Sequence, residues 1–380
     1  MPSATSATKL LSVFLVAGAL GLIAARAGDT TAIVEVELSD PVSPTVPPRV
    51  YRVTQFHDEK GFPAGYSLSF TTHVCLDEQC RMVKLTMYWD ALGYYQRLEY
   101  PADMPLTKKK HVPFSAADYA KLDQILKDRD SILGTHPLEI LVTPAPEMPD
   151  MPEIDGWSGA TPQTVKDAVV DDAAYTSWAM WRWANGEIVQ KLQGLTEQRC
   201  APRYLRQLLQ SKDRREVDFA LRHVVRHLPA DEQFVDDVFS ILETGDREHV
   251  SLALKFLHGA AQDRRRLHQR LIESYCRLSG NYRPMILDYF AAQPDLPAET
   301  LEGLTGVLDR LPFFQVHLIL RLLDAKGFFS ARVEADVAGL LDHREFFIAR
   351  RASEYLIKQP LATDTKRKLD AFREQHRQRL

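Results

Sequence analysis

Apolar and polar residues alternate early in the chain, whereas beyond residue 160 the apolar residues recur mainly at helical spacing. In Thr31–Leu38 the apolar Val34, Val36 and Leu38 alternate with two glutamates, which is the period of a half-buried strand. Four further segments rich in β-branched and aromatic residues follow, separated by turn residues; they are 50–56, 66–74, 82–89 and 94–100. The pattern predicts an antiparallel meander.

Helical signals accompany these strands and make the predicted amino-terminal domain α+β. Ser115 and Asp118 have the spacing of a capping box, and the apolar residues that follow at helical spacing are Tyr119, Leu122, Ile125, Leu126 and Ile132. A proline-rich loop, 143–153, comes next and favours extended backbone. The domain is predicted to cover residues 28–198.

The rest of the chain carries a repeat of 33 residues. Each unit holds apolar residues on two predicted helices, in the same phase throughout. On the first helix they are Leu205, Val238, Leu271, Leu304 and Val337, followed four residues later by Leu209, Leu242, Tyr275, Leu308 and Leu341. On the second they are Ala220-Leu221, Ala253-Leu254, Ile286-Leu287, Ile319-Leu320 and Ala352-Ser353, followed by Val224, Leu257, Phe290, Leu323 and Leu356.

The repeat predicts an all-α solenoid of five units over 199–364, with a terminal capping helix over 365–380. These units resemble short HEAT-type repeats. One further row of the second helices is polar and of mixed sign: Arg222, Lys255, Asp288, Arg321 and Glu354. Mixed charge favours a protein partner over a polyanion, although the row also fits the solvated side of each helix.

The first 27 residues read as a secretory signal peptide: Lys9 precedes an apolar run, and Ala25-Arg26-Ala27 fits a cleavage site. The mature chain would start at Gly28 without a membrane span and would be exported, to the periplasm or the extracellular space. Loss of Lys9 and Arg26 changes the net charge from −4 to −6, and this acidic balance does not indicate a basic surface for nucleic acid.

The chain has four cysteines, and the predicted compartment bears on the state of each. Cys75 and Cys80 flank a short loop between two predicted strands, and in an exported protein a disulfide closing that hairpin is expected. A metal site that adds His73 is the alternative, although it lacks a fourth ligand. Cys200 and Cys276 lie in non-adjacent repeats, which favours buried thiols.

Two groups of residues fit either a ligand or ordinary structure. Trp178, Trp181 and Trp183 would stack on a flat cofactor or pack in the core against the sheet. The basic loop Lys108-Lys109-Lys110 would receive a phosphate or an acidic partner, or be a solvated charge run.

The stretch between the proline-rich loop and the helices carries the candidate chemistry. Asp155 precedes Ser158-Gly159-Ala160-Thr161, and Pro162 follows. A threonine before a proline suits a helix N-terminus, where free N–H groups favour an anion. The run resembles the attachment site of covalent FMN in subunits of sodium-pumping NADH:quinone reductases, Rnf-type electron-transport complexes and regulators of nitrous-oxide respiration.

The resemblance covers about ten residues and implies an FMN-binding domain in which the flavin phosphate is esterified to Thr161 by a separate flavin transferase. Gln163 stands where the families usually carry a second hydroxyl, which Thr164 supplies one place later. The expected function is an exported flavoprotein in electron transfer, whose solenoid docks a protein redox partner. The alternative is a cofactor-free envelope scaffold in which Thr161 only caps a helix. No catalytic base or nucleophile is identified.

Overall fold

The computed structural model describes residues 31–42, 45–72, 82–136 and 167–379. The chain divides into two compact units, Met1–Arg199 and Cys200–Leu380. The first holds a five-stranded antiparallel sheet with helices and the second consists of helices, so the predicted α+β layout followed by an all-α part is confirmed.

The sheet follows the order of the chain, and every neighbouring pair is antiparallel. Alternate residues face the helices, because side chains along a strand point to opposite faces. One row across the sheet runs from Val53 to Leu68 to Met87, and all three side chains are buried. The strands are β1 (Thr31–Leu38), β2 (Arg49–His57), β3 (Pro63–Thr72), β4 (Val83–Asp90) and β5 (Tyr95–Glu99).

Two of the hairpin turns are built in the same way, with an aspartate at the start and a glycine three residues later. The Asp58 carboxylate accepts hydrogen bonds from the backbone N–H of residues 60 and 62, and Gly61 has a φ of 79°. The Asp90 carboxylate does the same for residues 92 and 94, with Gly93 at 75°. Glycine is favoured at both places because a side chain strains this left-handed conformation.

Within the described ranges of the first unit, three α-helices contribute to the core: α1 (Ala116–Lys127), α2 (Ala174–Asn185) and α3 (Glu187–Glu197). Ser115 and Asp118 form the predicted capping box. The observed helix is shorter than the spacing of its apolar residues predicted. It ends at Lys127, and Ile132 lies in a separate 3₁₀ turn, Ile132–Gly134. Asp172, which has a φ of 58°, interrupts the regular backbone just before α2.

The described part of the second unit contains eleven α-helices, and three of these α-helices are capped by aspartates: Asp213, Asp246 and Asp263. The helices are α4 (Pro202–Leu209), α5 (Arg214–His227), α6 (Val235–Thr244), α7 (Arg247–Ala260), α8 (Arg264–Arg277), α9 (Arg283–Ala292), α10 (Ala298–Thr305), α11 (Phe313–Lys326), α12 (Ala331–Gly339), α13 (Phe346–Leu356) and α14 (Thr363–Gln375). The last begins two residues before its predicted start.

Each helix of this unit packs along the chain in a regular order. Helices α4, α6, α8, α10, α12 and α14 each contact the next member of that series, and so do α5, α7, α9, α11 and α13. Within each pair, from α4 and α5 to α12 and α13, the two helices also contact one another. Every apolar position of the 33-residue repeat is buried, from Leu205 to Leu356, and so is Ser353, which fills one of them.

Candidate functional site

The residues predicted to bind a flavin lie outside the described part of the chain. They are Asp155, Ser158, Gly159, Ala160 and Thr161. The same holds for the signal peptide, for the proline-rich loop 143–153, and for Cys75, Cys80 and His73. The disulfide and the flavin attachment therefore stay predictions.

The tryptophan cluster of α2 lies in the core of the first unit. Trp183 stacks on Phe70 with ring centroids 4.3 Å apart. The indole N–H of Trp181 donates to the Asp128 carbonyl at 2.7 Å. Trp178 is 9% exposed. The three rings are thus used for packing between α2, the sheet and the end of α1, which is the structural interpretation of the stripe.

Helix α2 also carries buried donors that lack an acceptor among the described residues. They are Nε1 of Trp178, Nε1 of Trp183 and Nε of Arg182. The Arg182 guanidinium lies 4.5 Å from the centroid of the Trp178 ring, and burial lowers its pKa. No carboxylate in the described ranges forms an ion pair with this arginine, so the group is suited to receive carbonyl or carboxylate oxygens.

Lys108, the first lysine of the basic loop, forms an ion pair at the start of α1. The Lys108 ammonium lies 2.7 Å from the Asp118 carboxylate. This contact, with help from the Ser115 hydroxyl and amide, lowers the pKa of Asp118 to about 2. Lys108 therefore stabilises the start of α1. The Lys109 backbone amide donates to the Asp172 carbonyl at 2.8 Å, which fixes the basic loop to the turn before α2.

In the second unit, the polar row predicted from the repeat is exposed on five successive helices of one series. Arg222 of α5 forms an ion pair with Glu248 of α7 at 2.7 Å. Taken together, α5, α7, α9, α11 and α13 carry more lysine and arginine than aspartate and glutamate, although the whole chain is acidic. We call the exposed side of these helices that contains the polar row the polar-row surface.

Sequence reasoning missed one part of this surface. Phe314 and Phe347 are 56% and 65% exposed, and they occupy the same repeat position on α11 and α13. The signal was present in the sequence as two Phe-Phe pairs, which stand 33 residues apart.

Other polar contacts in this unit are structural. His249 of α7 is buried, and its Nε2 lies 2.5 Å from the Asp218 carboxylate of α5. Cys200 and Cys276 are half-buried, and not fully buried as the sequence predicted. Over the ranges that the structure describes, no group of three histidine, cysteine, aspartate or glutamate side chains is placed to hold a metal ion.

Comparison of the chain with protein-family models, curated proteins and solved structures finds no match. Among the described helices, none is both long and apolar enough to cross a bilayer.

Proposed function

We propose that the second unit is a HEAT-like solenoid that docks a protein partner. The observation that carries the proposal is the pairing of helices: each contacts its neighbour and the helix two places along, as stacked two-helix repeats require. A repeat that buries the same apolar positions in every unit and exposes the same polar position creates a continuous core and a continuous surface.

Polar contacts between helices one repeat apart support the same stacking. The Ser274 hydroxyl donates to Glu243 at 2.8 Å, and the Thr305 hydroxyl donates to Asp336 at 2.8 Å. The partners in each contact are separated by 31 residues, close to the repeat length. Contacts of this kind set the register between units, because each requires one polar group to meet another.

The chemistry of the polar-row surface supports a protein as the partner. Its row mixes cations and anions: Arg222, Lys255 and Arg321 are cations, and Asp288 and Glu354 are anions. A nucleic acid backbone would meet repulsion at the two carboxylates, whereas a protein can match both signs. Long surfaces of stacked repeats are typical sites for binding other macromolecules.

A second candidate function rests on the Asp155 to Thr161 stretch. In it, the chain is an exported flavoprotein that carries FMN on the Thr161 hydroxyl and takes part in electron transfer. The signal-like first 27 residues and the Ser-Gly-Ala-Thr run favour it. The flavin would supply the redox chemistry, and the partner docked on the solenoid would be the electron donor or acceptor.

Covalent flavin is tested by expressing the chain with an active flavin transferase. The wild type is expected to gain the mass of FMN less one water and to fluoresce in a denaturing gel, because a phosphoester survives denaturation. Thr161→Ala should abolish both signals. Thr161→Asn is the control, since asparagine can cap a helix but cannot be esterified. Asp155→Ala tests recognition by the transferase.

Two results would redirect the assignment. Flavin retained in Thr161→Ala would move the attachment site, with Thr164 as the next hydroxyl. A wild-type chain without flavin in the presence of an active transferase would leave the cofactor-free scaffold as the function.

A further inference from the structure

Three phenylalanines form an exposed apolar patch at the starts of α11 and α13. Phe313 and Phe314 are the first two residues of α11, and Phe347 is the second of α13. They are 39%, 56% and 65% exposed, and the rings of Phe313 and Phe347 meet edge to face with centroids 6.2 Å apart. We call these three residues the phenylalanine patch. Contiguous apolar groups of this kind on a surface mark interaction sites.

The patch belongs to the polar-row surface. Phe314 precedes Arg321 by seven residues, and Phe347 precedes Glu354 by the same interval. Since seven residues are close to two helical turns, each phenylalanine lies on the same side of its helix as the row. The corresponding residues of the three earlier repeats are exposed and polar: Arg215 of α5, Glu248 of α7, and Asn281, which lies just before α9. Only the last two helices of the series replace them with phenylalanine.

The surroundings of the patch carry both signs of charge, with cations in excess. The first turn of α11 contains no acidic residue and its N-cap is Pro312, so the positive end of that helix dipole faces the patch without a carboxylate from its own first turn, whereas the N-cap of α13 is the exposed Glu345. Arg344 is exposed just before α13. The Arg379 guanidinium lies 3.9 Å from the centroid of the Phe346 ring, next to Phe347 in the chain. The helices of the series carry an excess of cations as well.

We propose that the phenylalanine patch and the polar-row surface bind an acidic segment of a partner protein, with apolar side chains of that segment packed on the rings. This rests on the proposed docking function and specifies the chemistry of its partner. Aromatic side chains supply much of the energy at protein interfaces, and complementary charges around them set orientation and specificity.

An anionic lipid surface is the competing occupant, and the polar row disfavours it. Asp288 and Glu354 are exposed on the same surface as the cations. A lipid surface of one sign would repel both carboxylates, whereas a peptide can place a cation or a polar group opposite each of them.

The test selects peptides from a displayed random library on the full-length chain. The selected peptides are expected to combine aspartate or glutamate with leucine or aromatic residues. The double variant Phe314→Ser/Phe347→Ser should bind them at least about tenfold more weakly, the loss typical of removing an interface anchor. Ile357→Ser is the matched control, because Ile357 is 52% exposed at the other end of α13. It should leave binding unchanged.

The inference is overturned if the selected peptides lack acidic residues, or if they bind the wild type and the double variant equally. It is also overturned if the chain binds vesicles of phosphatidylglycerol but not the peptides, or if the patch instead mediates self-association that the double variant abolishes. Peptides that bind elsewhere would defeat this inference and leave docking standing. A folded chain that selects no peptide would defeat both.

Discussion

Leu254 and Leu320 show at the scale of the residue what the repeat demands. They occupy the same repeat position on α7 and α11, and both are buried. Leu254→Ala or Leu320→Ala should leave a cavity between stacked helices and lower the free energy of unfolding by roughly 2–5 kcal/mol. The measurement is urea denaturation followed by circular dichroism, because the second unit contains no tryptophan.

The matched controls are exposed positions on the same helices. Lys255→Gln and Arg321→Gln should change the free energy of unfolding by less than about 0.5 kcal/mol, since neither side chain is buried. Equal losses for the leucine and the charged positions would contradict the register of the repeat.

Asp118 gives a pH dependence of known sign. The pKa of this carboxyl is about 2 in the folded chain, below its ordinary value of 3.8, so the folded state favours the ionised form. Its contribution to stability is therefore complete above about pH 4 and is lost as the pH falls through about 2. The stability difference between wild type and Asp118→Asn should be larger at about pH 6 than at about pH 2.5.

Tryptophan fluorescence can follow that difference, because all five tryptophans precede residue 199. Lys127→Gln is a suitable control, since its ion pair with Asp123 is exposed and lies at the far end of the same helix. A difference between wild type and Asp118→Asn that stays constant across the pH range would contradict the role of the Lys108 contact.

Among the helices and strands, the sequence predicted the existence and type of those that have a clear pattern of apolar residues. All five strands were predicted, β1 from its alternation and the other four from segments rich in β-branched and aromatic residues. Turn residues mark their ends, and Asp58 and Asp90 are two of them. The early end of α1 was missed, because Ile132 continues the apolar spacing although it belongs to a 3₁₀ turn. The register shifts in β2 and β4 were also missed, since a bulge depends on the neighbouring strand.

Helix α14 should act as the cap of the helical unit. It packs on α12 and α13, where Leu369 and Phe372 are buried and the Phe372 ring stacks on Phe346 at 6.5 Å. A chain that ends at residue 362 would expose this apolar surface, and terminal repeats need a polar outer side. The truncated chain should unfold at a lower temperature and bind the dye ANS.

Arg367→Gln is the control for that truncation, because this exposed arginine of α14 pairs only with nearby Asp364 among the described residues. It should leave the unfolding temperature and the dye binding unchanged. A truncated chain as stable as the wild type would show that α13 needs no cap.

At the scale of the whole molecule, the division into an α+β part and an all-α part followed from the change of period alone. The candidate chemistry was harder to predict. Predicting the phenylalanine patch requires knowing which residues are exposed. An alignment of the repeats gives that information only when the residues at each position are compared in all five units. The interpretation of Trp181 and Trp183 as core residues needed the sheet, because a helical stripe of aromatics looks the same whether it faces a ligand or Phe70.

The covalent form of the whole chain is the remaining prediction. Protein isolated from its native cells should begin at Gly28, because Ala25-Arg26-Ala27 has the small residues that a signal peptidase requires. Non-reducing peptide mapping should find Cys75 joined to Cys80, since a short loop between two cysteines is readily closed in an oxidising compartment. The same mapping should find Cys276 as a thiol, as its half-buried state in α8 suggests. A retained first segment would contradict export with cleavage, and free thiols at residues 75 and 80 in exported protein would contradict the disulfide.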